Sequence, residues 1–386
     1  MKRRLSWTTA LTALLLSGMP LGARADLLVS ANDGKAVLIN GVNTVPDKPV
    51  PDTVSIIDLT ATPPKVKAEI QMPTSLVGPP SSVAIARDES YALVTAATKI
   101  DPADKKKVVP HNIVSVVDLQ ASPPKVIATH ETGAGASGVA INRAGTLALV
   151  ANRVEGTVSV FTIAGKTLTP AGKVDLGNPK SEPSAVAFTP DGKRALVTRT
   201  GDSKITLLTV DGTKVTLSGR DIYAGHKPYP VGIAPNGSFA VVTNVGMGGG
   251  DADTMSLIDM TANPPRTVDT VTVGPSPESM TIAPDGKHIA VTLINGTNKP
   301  GDSPFFKVRG AMPVFEVRNM KLVKVTEAQI GRWCQGAGWN KSSTLILVQC
   351  MVEQEIEMFK FDGKTLKPAG VIKINGGPAG IATTPQ

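Results

Sequence analysis

The chain has 386 residues, a formal charge of +8 and only 4% aromatic residues. Four of the positive charges (Lys2, Arg3, Arg4 and Arg24) fall in the first 25 residues, which hold no acid, so about +4 remains on the rest. That modest charge, the absence of any block of five like charges, and just two Trp beyond residue 25 argue against electrostatic steering of nucleic acid and against a base-stacking platform.

Residues 1–25 read as a secretory signal peptide. Lys2, Arg3 and Arg4 form a positive start, Ala10–Leu16 is a largely apolar stretch too short to span a bilayer, and Ala23-Arg24-Ala25 supplies small residues for cleavage. The mature chain is then expected to begin near Asp26, with no membrane span and a periplasmic or secreted location. Residues 26–386 are expected to form one domain, because a repeat runs through all of them.

Six segments align without gaps over thirteen residues: VAIARDESYALVT from Val83, VAINRAGTLALVA from Val139, VAFTPDGKRALVT from Val186, VGIAPNGSFAVVT from Val231, MTIAPDGKHIAVT from Met280 and AGWNKSSTLILVQ from Ala337. Each is an apolar run, a turn such as Pro190-Asp191-Gly192, and a second apolar run, which is the pattern of a β-hairpin. A third run follows, seven times in all, as in TVSIIDL from Thr53, IVSVVDL from Ile113 and EIEMFKF from Glu355. A more polar fourth run closes each unit, for example KVIATH from Lys125. Four strands per unit at intervals of 44 to 60 residues predict the blades of a β-propeller. The end of the chain, PAGIATTPQ, matches a hairpin's first strand, and LLVSAN from Leu27 matches a return strand. The two termini are therefore expected to share one blade and close a seven-bladed, all-β ring of four-stranded antiparallel sheets. A closed ring lacks the open edges that drive association, so a monomer is expected.

The hairpins near P-x-x-V-A-x-x-P-D-G-K, each followed by a run like T-V-S-V-I-D, resemble the YVTN β-propeller repeats. The resemblance covers essentially all of residues 26–386. That superfamily includes lactonase-type propellers similar to 6-phosphogluconolactonase and the carboxymuconate-lactonizing enzyme, and also exported propellers without catalysis. The resemblance implies either a lactonase-like activity or a binding role; with no catalytic motif in the sequence, a non-catalytic propeller that binds a small molecule, peptide or protein on its top face is the first expectation, and a lactonase-like hydrolase or lactonizing enzyme the alternative.

The Pro-Asp-Gly turns are expected on one face, the bottom. The long connections Asp33–Asp52, Ala97–Asn112, Val245–Asp253 and Ile294–Gly310 project from the other, the top, where function is expected. Two aligned columns surround the top mouth of the channel. One contains Ser81, Ser137, Ser184, Tyr229, Glu278, Gln335 and Ala379. The other contains Ala96, Asn152, Arg199, Asn244, Leu293 and Cys350, with Asn32 in register. With Arg153, Glu182 and Arg332 nearby, these residues suit a small polar ligand, a peptide or a protein partner, or else a hydrated rim. A lactone hydrolase needs a base and a stabiliser for the oxyanion. Glu278, His226 and Glu182 are the candidate bases and Arg199, Arg153 and Arg332 the candidate anion holders, with Glu278, His226 and Arg199 the expected catalytic set.

Cys334 and Cys350 lie opposite each other when their hairpin is superposed on its sisters, which predicts a cross-strand disulfide. No Cys/His cluster with zinc spacing is present, so no metal site and no cofactor is predicted. The loop GMGGGDADT from Gly246 carries two Asp on a Gly-rich backbone, and both Ca²⁺ binding and a flexible turn remain open for it.

Overall fold

Alternation of β-branched residues with small polar ones, punctuated by tight turns, leaves the chain nowhere to go but antiparallel sheet. The computed structural model describes residues 26–385, and no helix occurs among them. The expected export signal, residues 1–25, lies outside the described residues. No helix among the described residues is long and apolar enough to cross a membrane.

Seven four-stranded antiparallel sheets form the blades of a closed ring. Blade 1 is assembled from both ends of the chain, in the order Gly377–Thr383, Leu27–Asp33, Thr53–Asp58 and Lys65–Gln71. Blades 2 to 7 begin at Val83, Ala136, Pro183, Pro228, Pro277 and Cys334. The first strand of each blade packs beside the first strand of the next all the way round, the terminal strand Gly377–Thr383 included.

Burial follows radius. Leu147–Asn152, a second strand, is buried at every position, because it is covered by a blade on each side. Lys125–Glu131, an outer fourth strand, alternates exposed and partly buried residues, as a sheet with one wet face should. The apolar residues form clusters shared between neighbouring blades: Leu28 and Ile57 of blade 1 pack with Leu347, Ile356 and Ile372 of blade 7. Burial of this apolar surface is what holds blade to blade.

The Pro190-Asp191-Gly192 turn shows why its residues are there. Gly192 takes φ +68°, which costs a side chain dearly. Asp191 accepts from the Lys193 amide at 3.0 Å and the Thr189 hydroxyl at 2.5 Å.

Two of the long top connections are more ordered than loops. Asn40 and Gly41 both have positive φ and turn a small hairpin, Val37–Ile39 with Val42–Thr44; Asn-Gly is the residue pair such a turn demands. In blade 2 the strands Tyr91–Ile100 and Val108–Asp118 run past the blade as an arm, pairing Ile100 with Val108. Beneath these connections Lys35 is buried between Asp52 at 2.8 Å and Asp33 at 3.2 Å, and it donates to the Thr74 carbonyl at 2.6 Å.

The ring is fastened at the bottom by polar contacts as well as by strand pairing. The Lys341 amide donates to Asp26 at 2.9 Å, and the Lys341 ammonium pairs with Glu89 at 2.8 Å. The Thr384 hydroxyl donates to the same Glu89 oxygen at 2.5 Å. Blades 1, 2 and 7 thus meet in one cluster.

Candidate active site at the top of the channel

The first column follows from the fold: each of its residues stands at the start of an inner strand, on the channel side of the ring. Six of the seven are polar. Ser137 and Gln335 are almost wholly buried, and the Ser81 and Ser137 hydroxyls and the Gln335 amide oxygen have no hydrogen-bond partner among the described residues. These three atoms make the wall beneath the mouth polar.

The second column serves a different end. The Asn152 amide donates to Thr157 at 2.8 Å and Ser159 at 2.9 Å. Asn244 repeats this on Thr254 and Ser256, and Asn32 on Thr53 and Ser55. In each case an Asn ending a second strand holds the T-x-S of the third strand beside it. Arg199 stands where Asn stands elsewhere. It donates to Thr206 at 3.2 Å and grips Asp202 with Nε and Nη2.

Four of the anticipated residues come together around Glu278. Arg153, at the top of blade 3, reaches over to blade 4, where it pairs with Glu182 at 2.6 Å and donates to the Ser184 hydroxyl. Its guanidinium carbon lies 5.9 Å from the centre of the Tyr229 ring on blade 5, within cation–π range. Burial pushes the Glu278 carboxyl up to about 7, and Arg153 is the charge that opposes the shift. Burial and the neighbouring Glu278 also push the Tyr229 hydroxyl up, so it stays protonated. Glu278 itself has no hydrogen bond or ion pair among the described residues, which leaves its carboxyl available.

His226 and Arg332 stand apart from this group. His226 is held at the rim by Ser203 at 3.3 Å and the Met247 sulfur at 3.1 Å. Arg332 pairs with Glu353 at 2.8 Å on blade 7.

Two participants escaped the sequence reading. The Gly78 amide faces the Tyr229 hydroxyl across the channel, from a loop before blade 2 to a strand of blade 5. Gly78 takes φ +106°, and a Cβ there would lie 2.0 Å from the Ser137 hydroxyl, so nothing larger fits. The signal was the length of the connection between Gln71 and Val83. Thr200, the second, lies 2.6 Å from the Ser184 hydroxyl and extends the polar network behind Arg153.

The Cys334–Cys350 disulfide is present, with Cα atoms 3.9 Å apart at paired positions of adjacent strands. In the Gly246 loop, Asp253 accepts from the Ser276 amide at 2.9 Å and Lys299 donates to the Gly248 carbonyl at 2.6 Å.

The bottom mouth is different in kind. It is a cavity of about 290 Å³ lined by Ile85, Ile141, Phe188, Ile233 and Ile282 together with Arg87 and Arg143, and among the described residues no carboxylate or imidazole lines it.

A closed ring of seven four-stranded blades with an acid, a guanidinium and a phenol at one mouth is a seven-bladed β-propeller with a polar channel mouth. Residues 112–231 match the family described as lactonase, seven-bladed β-propeller. Among solved structures, the chain is similar to a putative 6-phosphogluconolactonase from Bacteroides uniformis, at 16% identity and a TM-score of 0.71 over 93% of this chain and 99% of that one. It is also similar to the periplasmic gluconolactonase of Pseudomonas aeruginosa, at 15% identity and a TM-score of 0.68 over 93% and 98%. A functionally unknown protein from Desulfotomaculum acetoxidans gives 16% identity and a TM-score of 0.67 over 93% and 98%. At such identities the likeness is one of fold. No curated protein sequence matches the chain.

Proposed function

We propose that this protein is an exported hydrolase that opens lactone rings at the top mouth of its channel. The observation that carries the reading is Glu278: a half-buried, unpaired carboxyl held near 7, beside a fixed guanidinium. A base poised near neutral pH is the most effective at moving a proton there. The lactonase family match and the gluconolactonase-type neighbours support the same reaction. The disulfide fits an oxidising compartment and supports export to the periplasm or beyond.

In this mechanism Glu278 takes a proton from water as the water oxygen attacks the lactone carbonyl carbon. Arg153 stabilises the charge that develops on the carbonyl oxygen. The tetrahedral species collapses by breaking the ring C–O bond, and the proton held by Glu278 passes to the departing alkoxide. The product is a hydroxy acid, which ionises in water. Glu182 and Ser184 are positioning residues that fix the Arg153 guanidinium.

The test is hydrolysis of five- and six-membered lactones by purified protein, followed by pH-stat titration. Glu278→Gln is expected to lose about 10²–10⁴-fold in kcat with its fold intact. Hydrolysis undiminished in this variant, or no turnover of any lactone, would overturn the proposal.

A further inference from the structure

We propose that the bottom mouth of the channel binds a small anionic amphiphile, a straight-chain alkyl carboxylate, with its tail inward and its carboxylate on Arg143. This site lies at the opposite end of the channel from Glu278 and does not depend on the hydrolase reading.

The wall comes from one register position. Ile85, Ile141, Phe188, Ile233 and Ile282 are the last residues of the inner strands of blades 2 to 6. All but Ile85 keep part of their surface exposed. Inner strands pack side by side round the ring, so the open side of these residues is the channel. Covering apolar surface of this kind is favourable. A narrow apolar bore along the ring axis suits a linear chain.

The rim is polarised by the position two residues further on. There blades 4, 5 and 6 carry Pro190, Pro235 and Pro284, whereas blades 2 and 3 carry Arg87 and Arg143. Proline has no N–H to give an anion. The two guanidiniums stand on neighbouring blades, at one side of the rim, and among the described residues no carboxylate lines the cavity. The Arg143 side chain is exposed. It makes no hydrogen bond or ion pair among the described residues, so its fork of donors is open to an anion. A guanidinium meets a carboxylate through two parallel hydrogen bonds, which a hydroxyl cannot match and an ammonium opposes. Size completes the fit. At roughly 30 Å³ for each non-hydrogen atom, a water's share of liquid volume, the cavity of about 290 Å³ holds about ten such atoms. Octanoate is a carboxylate of that size.

The experiment is calorimetric titration of the protein at low ionic strength with octanoate, octanol and octylamine, each below its micelle-forming concentration. A single octanoate is expected to bind, at least about tenfold tighter than the other two. Arg143→Gln is expected to bring octanoate down to the level of octanol, and Arg143→Lys to keep part of the preference. Arg143 is exposed, so both variants should fold. Added salt should weaken octanoate and leave octanol unchanged. Acetate, which lacks the tail, should not displace octanoate at equal concentration. Arg332→Gln removes a cation from the opposite mouth and should leave octanoate binding as it was. Absence of octanoate binding, octanol binding equally tightly, displacement by acetate, or octanoate binding undiminished in Arg143→Gln would overturn the proposal. So would an equal loss in Arg332→Gln, which would put the anion elsewhere. None of these outcomes touches the hydrolase reading.

Discussion

Arg153 and Glu278 belong to blades 3 and 6, yet the guanidinium of one is the charge that holds down the carboxyl pKa of the other. Burial raises Glu278, and Arg153 limits the rise to about 7. The ring brings together residues 125 positions apart in sequence, and the balance between them sets the protonation state of the proposed base.

The first prediction follows from that balance. With Glu278 as base, kcat/KM should rise with pH through about 7 and then level off. Arg153→Met removes the charge that lowers this pKa, so the inflection should move to higher pH as kcat falls. A pH–rate profile flat from 5 to 9, or an inflection that moves down in Arg153→Met, would contradict the assignment.

The second concerns stability. Glu278 and Glu357 are both pushed up to about 7, chiefly by burial, with Glu355 adding to the effect at Glu357. A carboxyl with a raised pKa binds its proton more tightly folded than unfolded. Its contribution is thus full below about 4.5 and is lost as pH climbs to about 7 and beyond. Thermal melts should show stability declining across that window. Glu278→Gln should flatten the decline and melt higher than the native protein at pH 8. An unchanged pH slope in this variant would refute the prediction.

The third concerns the disulfide. Cys334 and Cys350 close a short loop, 16 residues apart, and are fully buried. Replacing both with Ala should cost about 3 kcal/mol, read by denaturant titration. Intact-mass analysis after alkylation should find no free thiol in the native protein and two after reduction under denaturing conditions.

The fourth concerns the bottom cluster. Lys341→Met leaves Glu89 without its cation while burying it as before, which should cost about 2 kcal/mol. Pairing it with Glu89→Gln should recover most of the loss. A double variant as unstable as the sum of both single changes would show that the pair does not act together.

The architecture was readable because its signal repeats. Seven third strands counted the blades, and the split between PAGIATTPQ and LLVSAN located the closure that pairs Leu28 with Thr383. The disulfide was readable because a hairpin's register is local. The site was only partly so. Asn152 and Asn244 shared a column with Arg199 and looked like mouth residues, but their amides turn sideways to the T-x-S of the next strand. That partner was visible in the sequence at the start of the next strand, as Thr157-Val158-Ser159. Tyr229 meeting Gly78 was not visible, because the contact depends on ring diameter and no repeat encodes it. The Asn40-Gly41 hairpin was visible and was passed over, since the connection was read by its length.

The shared first blade has a consequence for biosynthesis. The strand that seals the ring, Gly377–Thr383, is synthesised long after its partner Leu27–Asp33. Until it arrives, Leu27–Asp33 presents an unpaired edge and the mouth lacks its seventh wall. A product cut before Gly377 should therefore remain open and vulnerable to proteases.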